Sequence, residues 1–355
     1  MLKKLFFPLV FLCTIGFTSQ LPAAVLTSVP DTNDGPVVVN VSMLLADINE
    51  IDGASQSFNA NVFLRIEWQD DRLAHNGKDM QKRKLDDIWY PNVQFANETW
   101  LRRSLSRIVR VSPDGHVTFV QRVVGDFSQK LNLSEFPFDV QTFNILLVGI
   151  GPDKDKIKIK PLNDHAGRIA DNFSLPDWTV IEHSFDAEMY KPSEITPGYP
   201  AVNFTFTVKR KIGYYWLHII MPLIFIVMMS MMIFWIPVQQ SAVQISISTT
   251  SMLTLIAYRF AISHAIPPLS YLTRLDNFIL ISTLLVFFSL VHSLITTKLA
   301  HRRKEKLAIK IDWINRFLFP IIFAYTIIYV LVLPRNAENE AEWSLLIPTL
   351  IKLFN

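Results

Sequence analysis

The sequence predicts two joined architectures: an all-β, immunoglobulin-like sandwich over residues 25–211 and an all-α bundle of four membrane-spanning helices over residues 212–335. Three observations carry this reading. Period-two alternation recurs through the first part, with a turn signal roughly every ten residues. Room for four spans in stretches free of Asp, Glu, Lys and Arg comes next, the first two within one continuous run and each about long enough to cross ~30 Å of hydrocarbon at ~1.5 Å per residue. A short, strongly basic segment separates the third span from the fourth.

The chain begins with Lys3 and Lys4, an apolar run from Leu5 to Phe17, and Leu21-Pro-Ala-Ala24. A basic start, an apolar stretch too short to span and a small-residue exit read as a signal peptide over residues 1–24. The single cysteine, Cys13, falls inside that segment. The remaining chain is therefore expected to hold no thiol, which excludes disulfides, cysteine-ligated metals and cysteine nucleophiles. A net charge of +3 at pH 7 says little by itself, because its distribution along the chain is what matters; no nucleic-acid partner is expected.

In the β part, Val37-Val-Val-Asn-Val-Ser-Met-Leu-Leu45 alternates imperfectly and Phe58-Asn-Ala-Asn-Val-Phe-Leu-Arg-Ile-Glu-Trp68 alternates well. Further strands are expected at 108–111, 116–120, 142–148, 156–160 and 202–208. Asp52-Gly53 and Pro113-Asp114-Gly115 read as turns in which glycine supplies the positive φ.

In the membrane part, the uncharged stretch from Ile212 to Tyr258 holds two spans, Asn277 to Thr297 a third and Phe317 to Pro334 a fourth. The expected spans are 214–236, 240–264, 275–298 and 315–333. Lys298, Arg302, Arg303, Lys304, Lys306 and Lys310 lie between the last two. Short basic loops stay cytoplasmic, so the N-terminal domain and the C-terminus are both expected outside. Residues 336–355 are too short and proline-broken to span, and read as an extension at the outer interface or against the bundle.

The second span is flecked with hydroxyls. Ser246, Thr250, Leu253, Ala257 and Phe260 are spaced by four, three, four and three, so they form one helical stripe. Two readings stand at this point. The stripe lines a water-filled path, with hydroxyls replacing ion hydration and Leu253 and Phe260 as an apolar gate. Or it belongs to a buried helix whose hydroxyls bond back to their own carbonyls.

Enzymatic chemistry finds no constellation. The histidines are scattered without metal-ligand spacing, and no nucleophile elbow, phosphate loop or dinucleotide fingerprint occurs. Neither a cofactor nor a metal is expected. Asp70-Asp71 and Asp86-Asp87 would point to opposite faces of a strand, so they read as capping or turn residues. Asp153 and Asp155 in Gly-Pro-Asp-Lys-Asp-Lys could touch a divalent cation, but a solvated turn is the preferred reading.

Three ordered motifs remain: Trp68-Gln-Asp70-Asp-Arg72-Leu73, Trp89-Tyr-Pro91, and Phe136-Pro137-Phe138-Asp139-Val-Gln141. Arg210 then precedes the first span, and Pro222 lies inside it. In this order, before four spans, they resemble the pentameric ligand-gated ion channels, the Cys-loop receptor superfamily. Gln129 and Phe143 stand where animal members place the bridged cysteines, and the cytoplasmic loop is short. Both features resemble the prokaryotic branch.

The resemblance implies a homopentamer, each subunit with four identical partners, in a bacterial inner membrane and in contact with lipid. The second helix lines the pore through Ser246, Thr250, Leu253, Ala257 and Phe260. Phe136, Pro137, Phe138, Asp139, Arg210 and Pro267 are implied to couple the sandwich to the membrane helices, with Asp139 and Arg210 meeting as a charge-assisted pair. An agonist site is implied between adjacent sandwiches, lined by Phe63 and Arg65 on one side and by Phe95, Tyr190 and Tyr199 on the other. The loop Val148-Gly-Ile-Gly-Pro-Asp153 supplies no aromatic to it. The trigger is a small-molecule agonist or a pH change. Monovalent cations are the expected permeant ions, as in most prokaryotic relatives, although Val238–Gln244 carries no charge of either sign. Arg259 and His264 lie toward the outer end. The alternative function is a periplasmic ligand-sensing receptor that does not conduct.

Overall fold

The computed structural model describes residues 26–31, 35–151, 153–163, 165–171, 173–263 and 269–333. The expected signal peptide at 1–24, His264, Pro267 and the 336–355 extension lie outside the described residues.

The strands are β1 (Val37–Asp52), β2 (Ser57–Gln69), β3 (Gln81–Lys84), β4 (Val93–Phe95), β5 (Glu98–Arg103) and β6 (Ile108–Val111). They continue with β7 (His116–Ser128), β8 (Val140–Gly149), β9 (Ile157–Pro161), β10 (Gly167–Ile169), β11 (Trp178–Tyr190) and β12 (Tyr199–Arg210). One sheet runs β10-β1-β2-β7-β6-β3, with β5 also on β7 and β9 also on β1. The other runs β11-β12-β8-β4. The two pack face to face as a sandwich.

The alternation that marks β2 gives its buried face, and β2 pairs with β7 without a break from Ser57↔Ser128 to Gln69↔His116. The imperfect pattern of β1 has a physical cause: its register against β2 shifts between Leu45 and Asp47 and again between Ile48 and Glu50. Each bulge moves the residues after it to the other face. A bulge between Val180 and Glu182 does the same to β11, an exposed edge strand that the sequence pattern does not reveal. The turn at Gly115 has the expected positive φ of 86°. The turn after Asp52 does not use Gly53 in this way. Its positive φ falls on Gln56, while Asp52 Oδ1 accepts from the amides of Ala54 and Ser55 at 2.8 and 3.3 Å.

The sandwich core is an aromatic cluster that crosses between the sheets. Phe58 of β2 meets Phe143 of β8 at 4.7 Å between centroids and Phe127 of β7 at 5.4 Å. Phe143 in turn stacks on Phe206 of β12 at 5.4 Å. Phe143 is fully buried, and Gln129 Oε1 accepts from the amide of Asn144 at 3.3 Å. A packed ring and a side-chain hydrogen bond thus occupy the two positions where the resemblance would place a disulfide.

Four helices are long and apolar enough to cross a membrane: α1 (Gly213–Trp235), α2 (Val238–Ile262), α3 (Arg274–His301) and α4 (Glu305–Val332). The first three lie within a few residues of expectation. The fourth starts ten residues before the expected 315. Only its uncharged part reads as apolar, yet Ala308 and Asp312 in the charged first turns are buried. Asp312 Oδ1 lies 2.6 Å from His292 Nε2 of α3, and Asn315 Nδ2 lies 2.9 Å from His292 Nδ1. A polar triad inside the bundle therefore extends the helix toward the basic segment.

Inside α1, Trp216–Ile220 forms a π-helical turn just before Pro222. The proline ring has no N–H for the carbonyl of His218, and the widened turn loosens its neighbours. Tyr258 of α2 donates to the carbonyl of Ile219 at 2.6 Å, which ties the two helices at that defect.

Truncating Phe143→Ala is expected to cost about 3–5 kcal/mol, because the cross-sheet cluster loses the fully buried ring that meets both Phe58 and Phe206. Thermal unfolding of the full-length protein in detergent measures it. A loss below about 1 kcal/mol contradicts the assignment of that ring as the replacement for a bridge.

Candidate functional site

The junction between sandwich and bundle is built on a buried carboxylate. Asp139, at 2 % exposure, sits just before β8, while Arg210 ends β12. Because these strands are antiparallel neighbours paired at Val140↔Lys209, the two side chains emerge together. Arg210 Nε donates to Asp139 Oδ1 at 2.7 Å and Nη2 to Oδ2 at 3.1 Å, a bidentate fork. Gln141 Nε2 donates to Oδ2 at 2.9 Å, and Arg210 Nη1 to the Tyr215 hydroxyl of α1 at 3.3 Å. The guanidinium lies over Trp178 at 4.0 Å and over Phe136 at 4.9 Å. Rings that exclude water also attract the cation, so the pair is both desolvated and compensated.

Phe136 is buried and meets Tyr215 edge-on at 5.0 Å, and its bond to Pro137 is cis. The loop they belong to rests on the start of α3. The helix begins with a capping box, in which Thr273 Oγ1 accepts from the Asp276 amide at 3.1 Å and Asp276 Oδ2 accepts from the Thr273 amide at 2.9 Å. The next open helix amides turn to the loop: Arg274 N donates to Ser134 O at 2.8 Å and Leu275 N to Phe136 O at 3.2 Å. The Tyr271 hydroxyl accepts from the Leu133 amide at 2.9 Å.

Sequence reasoning misses Arg274, which lies just before the uncharged run that starts at Asn277. At 4 % exposure it is among the most buried charges described. Nη1 donates to Glu135 Oε2 at 2.8 Å, and the guanidinium lies over Phe138 at 4.9 Å. Nε and Nη2 donate to the carbonyls of Val330 and Leu333 at the end of α4. A cation at a helix C-terminus satisfies orphan carbonyls and complements the dipole. One side chain thus joins the loop, α3 and α4. The sequence signal that could have found it is the Thr273-Arg-Leu-Asp276 capping box, which fixes its place on the first turn.

The second helix has two unlike faces. Gln244, Ser248, Ser251 and Leu255 are buried against the rest of the subunit. Gln244 Nε2 donates to the carbonyl of Ile236 at 2.8 Å, just beyond the end of α1. Ser248 and Ser251 donate to the carbonyls four residues back, both at 2.8 Å. Ser246, Thr250, Leu253, Ala257 and Phe260 all lie on the opposite, exposed face of the single subunit, with Leu253 66 % and Phe260 75 % exposed. Thr254 bonds back to Thr250 O at 2.8 Å, but the hydroxyls of Ser246 and Thr250 make no hydrogen bond among the described residues. Arg259 is exposed and makes no ion pair among them.

The residues expected around an agonist fall in three places. Phe63 and Arg65 share one face of β2. Arg122, directly across on β7, lies over Phe63 at 5.6 Å, and Arg65 Nε donates to Glu67 Oε1 at 2.6 Å. Tyr190 and Tyr199 are cross-strand partners that close the β11–β12 hairpin. The ammonium of Lys154, from the loop after β8, lies over the Tyr199 ring at 4.4 Å. Phe95 departs from expectation. It is a core ring, 4 % exposed and edge-on to Phe127 at 5.6 Å, because β4 pairs with β8 through Phe95↔Leu147 and turns it inward.

The motif Trp68-Gln-Asp70-Asp-Arg72 is structural. Trp68 meets Trp89 edge-on at 6.3 Å, which joins it to Trp89-Tyr-Pro91. Asp70 caps the 3-10 turn Asp71–Leu73, and Arg72 Nε and Nη2 both bind its carboxylate at 2.8 Å. The hydrogen bonds to Asp70 raise the pKa of Arg72.

Arg210→Met is expected to destabilise the protein by about 3–5 kcal/mol, because Asp139 is left buried without its cation. Thermal unfolding of the detergent-solubilised protein reads this. A change below about 1 kcal/mol contradicts the junction as described.

A family model for the neurotransmitter-gated ion-channel ligand binding domain matches residues 27–212, and one for the neurotransmitter-gated ion-channel transmembrane region matches residues 219–322. The boundary between the two matches falls at the junction built on Asp139 and Arg210. These families comprise receptors and channels, not enzymes. The chain therefore belongs to the Cys-loop pentameric ligand-gated ion channels, multi-pass membrane proteins that assemble as pentamers and gate ions.

Proposed function

We propose that this chain is one subunit of a homopentamer in a bacterial inner membrane, opened from the periplasmic side by a small agonist or a pH change, and conducting monovalent cations. The observation that carries the reading is the two-faced α2. Its buried face is satisfied within the subunit, whereas Ser246, Thr250, Leu253, Ala257 and Phe260 are left exposed on one stripe. Five such stripes around an axis give a lumen. Ser246 and Thr250 then offer hydroxyls to a partly dehydrated ion, and rings of Leu253 and Phe260 close the path by dewetting.

The basic segment between α3 and α4 is assigned to the cytoplasm, which puts the sandwich and the C-terminus outside, with lipid around the bundle. An agonist bound between neighbouring sandwiches, at Phe63 and Arg65 of one and Tyr190 and Tyr199 of the next, would act on the junction. From there Asp139 and Arg210 reach α1, while Phe136, Pro137 and Phe138 reach α3. Pro267, which follows α2 in the sequence, completes the path in this reading. The cation preference rests on resemblance to the prokaryotic branch, since the lining stripe itself carries no charge.

Planar-bilayer recordings across pH, with reversal potentials in a salt gradient, test the proposal. Leu253→Ser and Phe260→Ala are each expected to leak or to open at weaker stimulus, because a wetted ring no longer gates. If both variants conduct as the parent does, the gate is elsewhere. If no condition yields current from parent or variants, the protein is a receptor that does not conduct. A reversal potential on the anion side overturns the cation preference alone.

A further inference from the structure

We infer that the ligand taken at this site is a small carboxylate rather than an amine, and that Lys154 is the residue that sets this preference. The inference rests on reading the β11–β12 hairpin and the Phe63 face of β2 as the two halves of one ligand site.

An aromatic cage holds an amine by presenting free π-faces to it. Here cations of the chain itself already cover a ring in each half. In the hairpin half, the Lys154 ammonium lies over Tyr199 at 4.4 Å, and Tyr190 stands beside Tyr199 as its cross-strand partner. In the other half, the Arg122 guanidinium lies over Phe63 at 5.6 Å. A ligand ammonium entering between them would meet two like charges and find one face of each of these two rings already taken.

The same two cations lack an anion. Neither Lys154 nor Arg122 is paired with a carboxylate among the described residues. Among the described residues, only the Nε of Arg122 is engaged, by Asn61 Oδ1 at 3.0 Å. The contrast with their neighbours is direct: Arg65 is held by Glu67, and Lys156 by Asp153 at 3.7 Å. Glu188 shares a hairpin face with Tyr190 by alternation but makes no ion pair among the described residues. Lys154 and Arg122 are thus parked on rings with N–H donors to spare. A carboxylate would take charge-assisted hydrogen bonds from both, while the rings they lie on supply apolar walls.

Binding to the purified full-length protein by calorimetry and thermal shift, with succinate and benzoate as carboxylate probes and tetramethylammonium as the cationic probe, tests this. At least one carboxylate is expected to bind saturably and tetramethylammonium not to bind. Lys154→Met should weaken the carboxylate at least tenfold, about the worth of one charge-assisted contact, and should admit tetramethylammonium to the freed Tyr199 ring. Lys154→Arg should retain carboxylate binding within about threefold, since it restores the charge. Tetramethylammonium binding to the parent, carboxylate binding indifferent to Lys154→Met, or no binding of any probe each overturns the inference. The readout needs no current. A protein that binds succinate through Lys154 yet never conducts keeps the inference and loses the channel reading. One that conducts but takes tetramethylammonium instead of carboxylates does the reverse.

Discussion

A carboxylate removed from water must be answered by a cation, and at the junction of this subunit that requirement organises two domains at once. Asp139 has almost no solvent contact, so its charge is tolerable only with Arg210 in a bidentate fork and Gln141 on the second oxygen. The fork joins the residue that precedes β8 to the last residue of β12. It therefore fixes where the chain leaves the sandwich and enters α1. Trp178, Phe136 and Tyr215 surround the guanidinium and come from β11, the junction loop and α1 respectively. Desolvation by these rings strengthens the pair and makes its geometry costly to change.

Arg274 is the counterpart on the other side of the same loop. Its charge is likewise buried, but its answers are a carboxylate in the loop and two backbone carbonyls at the end of α4. Loop, third helix and fourth helix are consequently held by one side chain, and the first helix by another. A displacement of the sandwich relative to the bundle would strain these two cations and also the loop's direct bonds to the open amides of α3. The second helix is tied differently, through Gln244 just past the C-terminal end of α1 and Tyr258 at its π turn. Those ties hold one face of α2 and leave the other free.

Period and charge are written openly in the sequence. Alternation marks β2, β6, β8 and β12, and uncharged runs mark the helices, because burial on one face leaves a regular trace. Features that depend on pairing stay hidden. The β11 strand carries a bulge and little buried surface, so its pattern reads as loop, although every residue pair with β12 is in register on either side of the bulge. The first turns of α4 carry Lys and Asp, and only the structure brings Asp312 to His292. Among the candidate site residues, the stripe on α2 and the Asp139–Arg210 pair are visible as spacing and motif. Lys154, Arg122 and Arg274 are not, since each acts through a partner distant in sequence. Phe95 misleads for a related reason: an aromatic beside a motif looks alike whether its strand turns it outward or into the core.

The central claim is that one face of α2 meets water in an assembled ring while the other is sealed within the subunit. Cysteine accessibility tests it directly, on a chain whose only native cysteine is Cys13. Single substitutions to cysteine at Ser246, Thr250, Leu253 and Ala257, and at Ser248, Ser251 and Leu255, are treated with a charged methanethiosulfonate during bilayer recording. Modification and a change of current are expected at the first four positions and none at the last three. Equal reactivity of the two sets, or reaction of the second set alone, would contradict the claim.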